Sequence, residues 1–267
     1  MLNNFFITDP DADEHQKKEN QLRKLIPNLV TLASMVCGLT AIQMAIGSEW
    51  RNAVLLILVA TILDTMDGAL ARLLNATSKF GAELDSLADF LSFGIAPATI
   101  MYLWILNDAG QVGWIAALVF VIAAALRLAR FNAASEDQEQ KPEWARYFFS
   151  GVPAPAGSGL MLLPLIIYLQ IDTDLSEYNI GSPLIGLLTI VIAGLMVSRI
   201  PTFSSKQIRI PTNNLILILA VVGLIIALLV HAPWITLTIM GLLYASLIPV
   251  SYRVYKLREK RAVQTGK

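Results

Sequence analysis

Long apolar segments constrain this chain more than any other feature of its sequence. Eight of them occur, at residues 28–47, 52–74, 82–106, 112–132, 153–170, 183–200, 212–230 and 234–255. Each approaches or reaches the roughly 20 residues that a helix needs to cross a bilayer. Only 15% of the residues are charged, which is low for a soluble domain. The sequence therefore predicts an all-α, polytopic integral membrane helical bundle with about eight transmembrane helices.

Basic residues indicate which ends of these helices face the cytoplasm. If the chain starts on the cytoplasmic side and alternates, every Lys and Arg except Arg51 falls on that side, as the positive-inside rule expects. This layout predicts cytoplasmic termini and a multi-pass protein of the inner or plasma membrane. It divides the chain into a polar segment at 1–25, a membrane catalytic domain at 26–256 and a basic tail at 257–267. The polar segment suits an interfacial helix or a disordered tail.

Four aspartates interrupt the apolar segments at one place. They flank the link between the second and third segments and are Asp64, Asp67, Asp85 and Asp89. The members of each pair are three or four residues apart and so share a helix face, and the eight residues 73–80 permit a tight antiparallel return. Four carboxylates without a nearby His or Cys are typical of a site for Mg²⁺, Mn²⁺ or Ca²⁺. The predicted orientation puts this site at the cytoplasmic face.

Small residues and one arginine accompany the aspartates. Gly68 and Ala71 leave one face of the second segment without bulky side chains, and Gly81 does the same before the third. A bare face lets a phosphorylated ligand approach the backbone. Arg72 supplies a fixed cation for a phosphate. A divalent metal, an arginine and an open groove together are typical of phosphoryl transfer.

The spacing of these residues resembles a known signature. The pattern D-x2-D-G-x2-A-R-x8-G-x3-D-x3-D is matched at every specified position between Asp64 and Asp89, and it is similar to the signature of the CDP-alcohol phosphatidyltransferases. Further stretches resemble the phosphatidylserine synthase branch of that family. They are IPNLVTL at 26–32, RFN at 130–132, FSGVPAPAG at 149–157 and SRIPTFSSK at 198–206.

This resemblance implies a metal-dependent membrane enzyme of phospholipid biosynthesis. Its fold would be the six-helix core of the family with two helices added, and it would form a homodimer. The reaction implied is transfer of a phosphatidyl group from CDP-diacylglycerol to L-serine, which gives phosphatidylserine and CMP. Mn²⁺ or Mg²⁺ is the implied cofactor, with Ca²⁺ as a non-productive occupant. Membrane lipids are the other expected partners, and no nucleic acid is expected.

The resemblance also assigns roles to the signature residues. Metal binding is implied for Asp64, Asp67, Asp85 and Asp89. For Asp89 the implied role includes catalysis, as the base that accepts the proton of the incoming hydroxyl group. The CDP-lipid site is implied to be lined by Gly68, Ala71, Arg72 and Gly81.

The histidines agree with a carboxylate as the base. His15 lies in the polar N-terminal segment, and His231 lies at the outer end of the seventh apolar segment. Neither reaches the aspartates in the predicted topology. A carboxylate must therefore do the general-base work.

The acceptor substrate needs contacts of its own. The carboxylate of serine requires a cation, and its ammonium requires a hydrogen-bond acceptor. The candidates are Glu83, Arg127, Arg130, Asn132 and Lys206. Glu83 is one turn from the metal site and could meet the ammonium. The basic residues suit ordinary positive-inside anchoring about as well.

Other functions remain open from the sequence. The same chemistry could use glycerol phosphate, inositol phosphate or choline as the acceptor, although the few, scattered basic residues favour an acceptor without a phosphate. An intramembrane prenyltransferase also pairs aspartates with Mg²⁺ and diphosphate, but it does not need the observed Gly, Ala and Arg spacings. A transporter or channel with a cation site would show ion flux without CMP release.

Overall fold

The computed structural model of the chain describes residues 10–136, 148–171, 181–203 and 215–265, which are nearly all helical. The α-helices are α1 (Pro10–Ile46), α2 (Trp50–Leu73), α3 (Lys79–Asp89), α4 (Ala96–Trp104), α5 (Gln111–Glu136), α6 (Ala154–Ile171), α7 (Gly181–Val197), α8 (Leu215–His231) and α9 (Pro233–Thr265). A π-helical turn at Phe90–Ile95 joins α3 to α4, and a 3₁₀ turn at Leu106–Ala109 precedes α5.

Six helical segments within the described residues are long and apolar enough to cross a membrane. They are Leu25–Ile46, Trp50–Leu73, Lys79–Trp104, Gln111–Ala133, Ala154–Ile171 and Pro233–Lys260. Two shorter apolar helices, at Gly181–Val197 and Ile216–His231, complete the set. The predicted all-α, multi-pass membrane architecture is confirmed. Eight spans and cytoplasmic termini remain predictions, since six helices meet the length that a span requires.

The first helix begins earlier than the apolar segment does. Pro27 suits the first turn of a span starting near residue 28, whereas α1 already begins at Pro10 and contains Pro27 in its interior. A proline removes one helical N–H donor but keeps a helical φ, so a helix can continue through it at some cost. One turn later, Thr31 Oγ1 lies 3.1 Å from the carbonyl oxygen of Pro27.

Serine side chains and a glycine join α1 to its neighbours. The hydroxyl of Ser34 donates to the carbonyl of Ala60 in α2 at 3.0 Å, and that of Ser92 in the π-helical turn donates to the carbonyl of Ser34 at 3.3 Å. A Cβ atom on Gly38 would lie 2.6 Å from Ser92 Oγ, so only glycine permits this approach. The π-helical turn begins directly after Asp89, and such turns often occur at functional sites.

A two-stranded sheet is a feature that the sequence did not predict. Strands β1 (Phe148–Ser150) and β2 (Pro201–Phe203) are antiparallel, with Phe149 opposite Thr202. The hydroxyl of Thr202 donates to the carbonyl of Gly151 at 2.8 Å. Gly151 has a φ of 78°, a conformation that favours glycine. The sheet therefore joins the segment before α6 to the segment after α7.

The core is formed by α1, α2, the π-helical turn and α4 to α7, and large apolar side chains are fully buried in it. Its largest members include Phe93, Ile100, Phe120, Met161 and Met196. By contrast, α8 exposes most of its apolar side chains, from Ile216 to Val230. An apolar exterior of this kind is what contact with lipid requires. The aspartates lie apart from this core, with Asp64 and Asp67 near the C-terminal end of α2 and Asp85 and Asp89 in α3.

Candidate active site

The link between α2 and α3 brings the predicted aspartates together. Asn75, with a φ of 50°, follows α2, and the amide of Ala76 donates to the carbonyl of Ala71 at 2.8 Å. An asparagine in this left-handed conformation is a common helix terminator. Ser78 then caps α3, because its Oγ accepts a hydrogen bond from the amide of Gly81 at 3.0 Å. Both helices pack against α1, and the link holds the end of α2 close to the start of α3.

Three carboxylates converge across these two helices. One ligand oxygen from each of Asp64, Asp67 and Asp85 can be chosen so that all three lie within 4.8 Å of one another. Asp67 is buried, with 4% of its surface exposed, and the other two are half-buried. Carboxylates this close, partly removed from water, repel unless a cation lies between them. Their oxygens suit a hard divalent ion, so the residues fit the metal that the sequence predicts.

Asp89 lies beside this cluster, and one of its two carboxylate oxygens accepts no hydrogen bond from the described residues. Its carboxyl group contacts that of Asp64 and interacts electrostatically with Asp85 and Arg127. Its Oδ1 atom is buried and has no hydrogen-bond partner among the described residues. A buried polar atom without a partner is costly. The position therefore suits an atom that is paired only when metal or substrate is bound.

Thr31 orients Asp67 and was missed by the sequence reasoning. Its hydroxyl donates to Asp67 Oδ2 from α1, 36 positions earlier in the chain. Hydrogen bonds of this kind to a metal-binding carboxylate fix its orientation. The only sequence signal is that Thr31 belongs to the IPNLVTL stretch.

Replacement of Thr31 by valine is expected to weaken Mn²⁺ binding by about tenfold, since outer-shell partners are typically worth 10–100-fold in metal affinity. Valine keeps the shape of threonine and removes the hydrogen bond to Asp67. Titration of the purified protein with Mn²⁺, followed by electron paramagnetic resonance, measures the change. Thr40→Val is the matched control, because the Thr40 hydroxyl donates to the carbonyl of Val36 in its own helix. Equal affinities for both variants would contradict the role given to Thr31.

A cleft of about 170 Å³ opens next to the carboxylates. Its lining includes every residue predicted for the CDP-lipid site, namely Gly68, Ala71, Arg72 and Gly81. Asn28 and Ser78 also line it, and sequence reasoning missed both. A Cβ atom on Gly81 would lie 3.0 Å from Asn28 Oδ1 and 3.1 Å from Ser78 Oγ. Glycine at this position therefore keeps the cleft open.

The acceptor candidates take separate positions. Arg127 is half-buried, interacts with Asp89, and lies with its guanidinium carbon 6.0 Å from the ring centre of Phe131. Arg130 Nη1 instead donates to the carbonyl of Val197 at 2.6 Å, which ties α5 to the end of α7. Asn132 Nδ2 donates to Ser86 Oγ at 2.9 Å, on the helix of Asp85.

Two other acceptor candidates contribute less to this geometry. Glu83 is exposed on α3, and Lys206 lies outside the described residues. Among the four candidates that the structure describes, Arg127 interacts with an aspartate, namely Asp89 beside the cluster.

Comparisons with known proteins give matches to phosphatidyltransferases. The profile of the CDP-alcohol phosphatidyltransferase family matches residues 24–200, and that of CDP-alcohol phosphatidyltransferase 2 matches residues 215–249. The chain is 36% identical over 237 residues to a CDP-diacylglycerol–serine O-phosphatidyltransferase of Mycobacterium bovis, covering 86% of this chain and 79% of that protein.

Similar proteins occur in other organisms as well. A protein of the same name from Helicobacter pylori is 35% identical over 75% of this chain and 81% of its own length. Another, from Methanocaldococcus jannaschii, is 35% identical over 76% of this chain and 87% of its own length. The family match at residues 24–200 thus includes the aspartates, the cleft and α5.

Proposed function

Because this chain belongs to the CDP-alcohol phosphatidyltransferase family, we propose that it transfers a phosphatidyl group from CDP-diacylglycerol to L-serine, giving phosphatidylserine and CMP. The observation that carries the proposal is the convergence of Asp64, Asp67 and Asp85 beside the cleft that contains Arg72 and Gly81. The names of the relatives support serine as the acceptor.

The aspartate cluster is proposed to hold Mn²⁺ or Mg²⁺. Asp64, Asp67 and Asp85 supply the ligand oxygens, and Asp89 lies close enough to Asp64 to complete the set. When bound, the metal neutralises the diphosphate and polarises the phosphorus that is attacked. The guanidinium of Arg72 lies on the lining of the cleft and suits a phosphate oxygen of the same ligand.

Asp89 is proposed as the general base. It takes the proton of the serine hydroxyl while the hydroxyl oxygen forms a new bond to the lipid-bearing phosphorus. The bond between that phosphorus and the oxygen of the CMP phosphate breaks, and CMP leaves with the electron pair. The buried, unpartnered Oδ1 of Asp89 supports this role, because it has an acceptor site to offer.

The site is proposed to face the cytoplasm, in a protein of the inner or plasma membrane with cytoplasmic termini. Six long and two shorter apolar helices support an even number of spans. The concentration of basic residues on the side of the α2–α3 link supports the orientation. Association into a homodimer is proposed from the resemblance to the family alone.

An acceptor competition tests the proposed function. Purified protein in detergent with CDP-diacylglycerol and Mn²⁺ receives L-serine, glycerol 3-phosphate, inositol phosphate or choline, and CMP release is measured. We expect CMP with L-serine and little with the others. Release with a different acceptor would replace serine and keep the family chemistry, whereas no release with any acceptor would contradict the proposal.

A further inference from the structure

Tyr244 places a buried phenol hydroxyl near Arg127, outside the signature. It lies on α9, and its hydroxyl oxygen is buried without a partner of hydrogen-bond geometry among the described residues. Thr202 is nearby, but its own proton goes to the carbonyl of Gly151 at 2.8 Å. A buried hydroxyl in this state can donate to a ligand.

Arg127 is the residue that connects this hydroxyl to Asp89 electrostatically. Its guanidinium interacts electrostatically with both, and the flat face of Phe131 lies alongside it. Because Arg127 is half-buried, its charge benefits from a hydrogen-bonded anion. Asp89 and the Tyr244 hydroxyl are thus both within electrostatic reach of the same guanidinium.

We propose that Tyr244 and Arg127 together bind the carboxylate of the acceptor, so that α9 selects an amino acid over alcohols that lack a carboxylate. This inference rests on the proposed function. The hydroxyl and carboxylate of serine are borne on neighbouring carbons. When the hydroxyl of such an acceptor contacts Asp89, its carboxylate therefore lies within reach of Arg127, the cation that interacts with Asp89. A phenol and a guanidinium both donate, and a carboxylate accepts from both.

Replacement of Tyr244 by phenylalanine keeps the ring and removes only the hydroxyl. We expect the KM for L-serine to rise about tenfold, the loss typical of one hydrogen bond to a charged group. The kcat at saturating serine and the KM for CDP-diacylglycerol should stay within about twofold, because neither depends on this bond. Tyr252→Phe is the matched control, since Tyr252 lies on the same helix with 40% of its surface exposed.

A second measurement separates carboxylate binding from a structural effect. L-Serinamide keeps the hydroxyl and ammonium of serine but has no negative charge. The ratio of kcat/KM for L-serine to that for L-serinamide does not depend on the fraction of folded protein. We expect Tyr244→Phe to lower this ratio about tenfold, as one charged hydrogen bond implies, and Tyr252→Phe to leave it unchanged.

Three results would overturn the inference. One is an unchanged KM for L-serine in Tyr244→Phe, and another is an equal loss with L-serine and L-serinamide. In both, the parent protein still makes phosphatidylserine, so the proposed function stands. The third is a parent protein that releases no CMP with L-serine, and this would remove the proposed function together with the inference.

Discussion

Asp89→Asn is expected to abolish turnover while leaving the CDP-lipid largely bound. Asparagine has nearly the shape of aspartate but accepts no proton at neutral pH, and general-base catalysis typically contributes 10²–10⁴-fold to a rate. The rate of CMP release should therefore fall by at least about 100-fold. The Kd for CDP-diacylglycerol should change little, because Asp64, Asp67 and Asp85 still form the three-carboxylate cluster.

Rate and binding measurements on this variant distinguish a general base from a metal ligand. Stopped assays of CMP give the rate, and isothermal titration in detergent with Mn²⁺ present gives the Kd for the CDP-lipid. Glu49→Gln, at the exposed N-terminus of α2, is the control for loss of a carboxylate elsewhere. Loss of CDP-lipid binding in Asp89→Asn would mean that Asp89 acts mainly as a metal ligand. Turnover near that of the parent protein would contradict its role as the base.

Asp67→Asn should remove both metal binding and turnover. Asp67 has the least exposed surface of the three aspartates, and it accepts a hydrogen bond from the hydroxyl of Thr31. Asparagine preserves that hydrogen bond but removes the negative charge that a divalent cation requires. Loss of an outer-shell partner already costs 10–100-fold in affinity, so loss of a ligand charge should weaken Mn²⁺ binding by more than about 100-fold.

Mn²⁺ titrations of this variant distinguish a metal role from a folding role. Asp67→Asn should keep its helical circular dichroism while the Mn²⁺ signal of bound metal disappears. Asp108→Asn is the matched control, because Asp108 is exposed in the 3₁₀ turn before α5. Normal Mn²⁺ affinity in Asp67→Asn would exclude this carboxylate from the metal site.

The aspartate cluster was predictable because its geometry is local. Helical periodicity puts Asp64 with Asp67 on one face, and Asp85 with Asp89 on another. The short link keeps the two helices close, so that carboxylates from both of them meet. The cleft followed for the same reason, since Gly68, Arg72 and Gly81 belong to the same two helices.

Contacts between distant segments were not predictable in this way. Thr31 reaches Asp67 across 36 positions, and Arg130 reaches the carbonyl of Val197 across 67. Neither contact has a periodic signal, because each depends on how separate helices pack. Arg130 stays a predicted acceptor contact, and its bond to the carbonyl of Val197 is an additional contact that the sequence did not predict. The strands β1 and β2 were missed likewise, since three-residue strands lack a pattern long enough to read.

The central claim is that these carboxylates hold a divalent metal on which phosphatidyl transfer depends. The most direct test is CMP release from CDP-diacylglycerol and L-serine by protein stripped with EDTA and then titrated with Mn²⁺. We predict no CMP from the stripped protein, full recovery on adding Mn²⁺, and one phosphatidylserine for each CMP. CMP release that persists after chelation, or that Mn²⁺ and Mg²⁺ fail to restore, would contradict the claim.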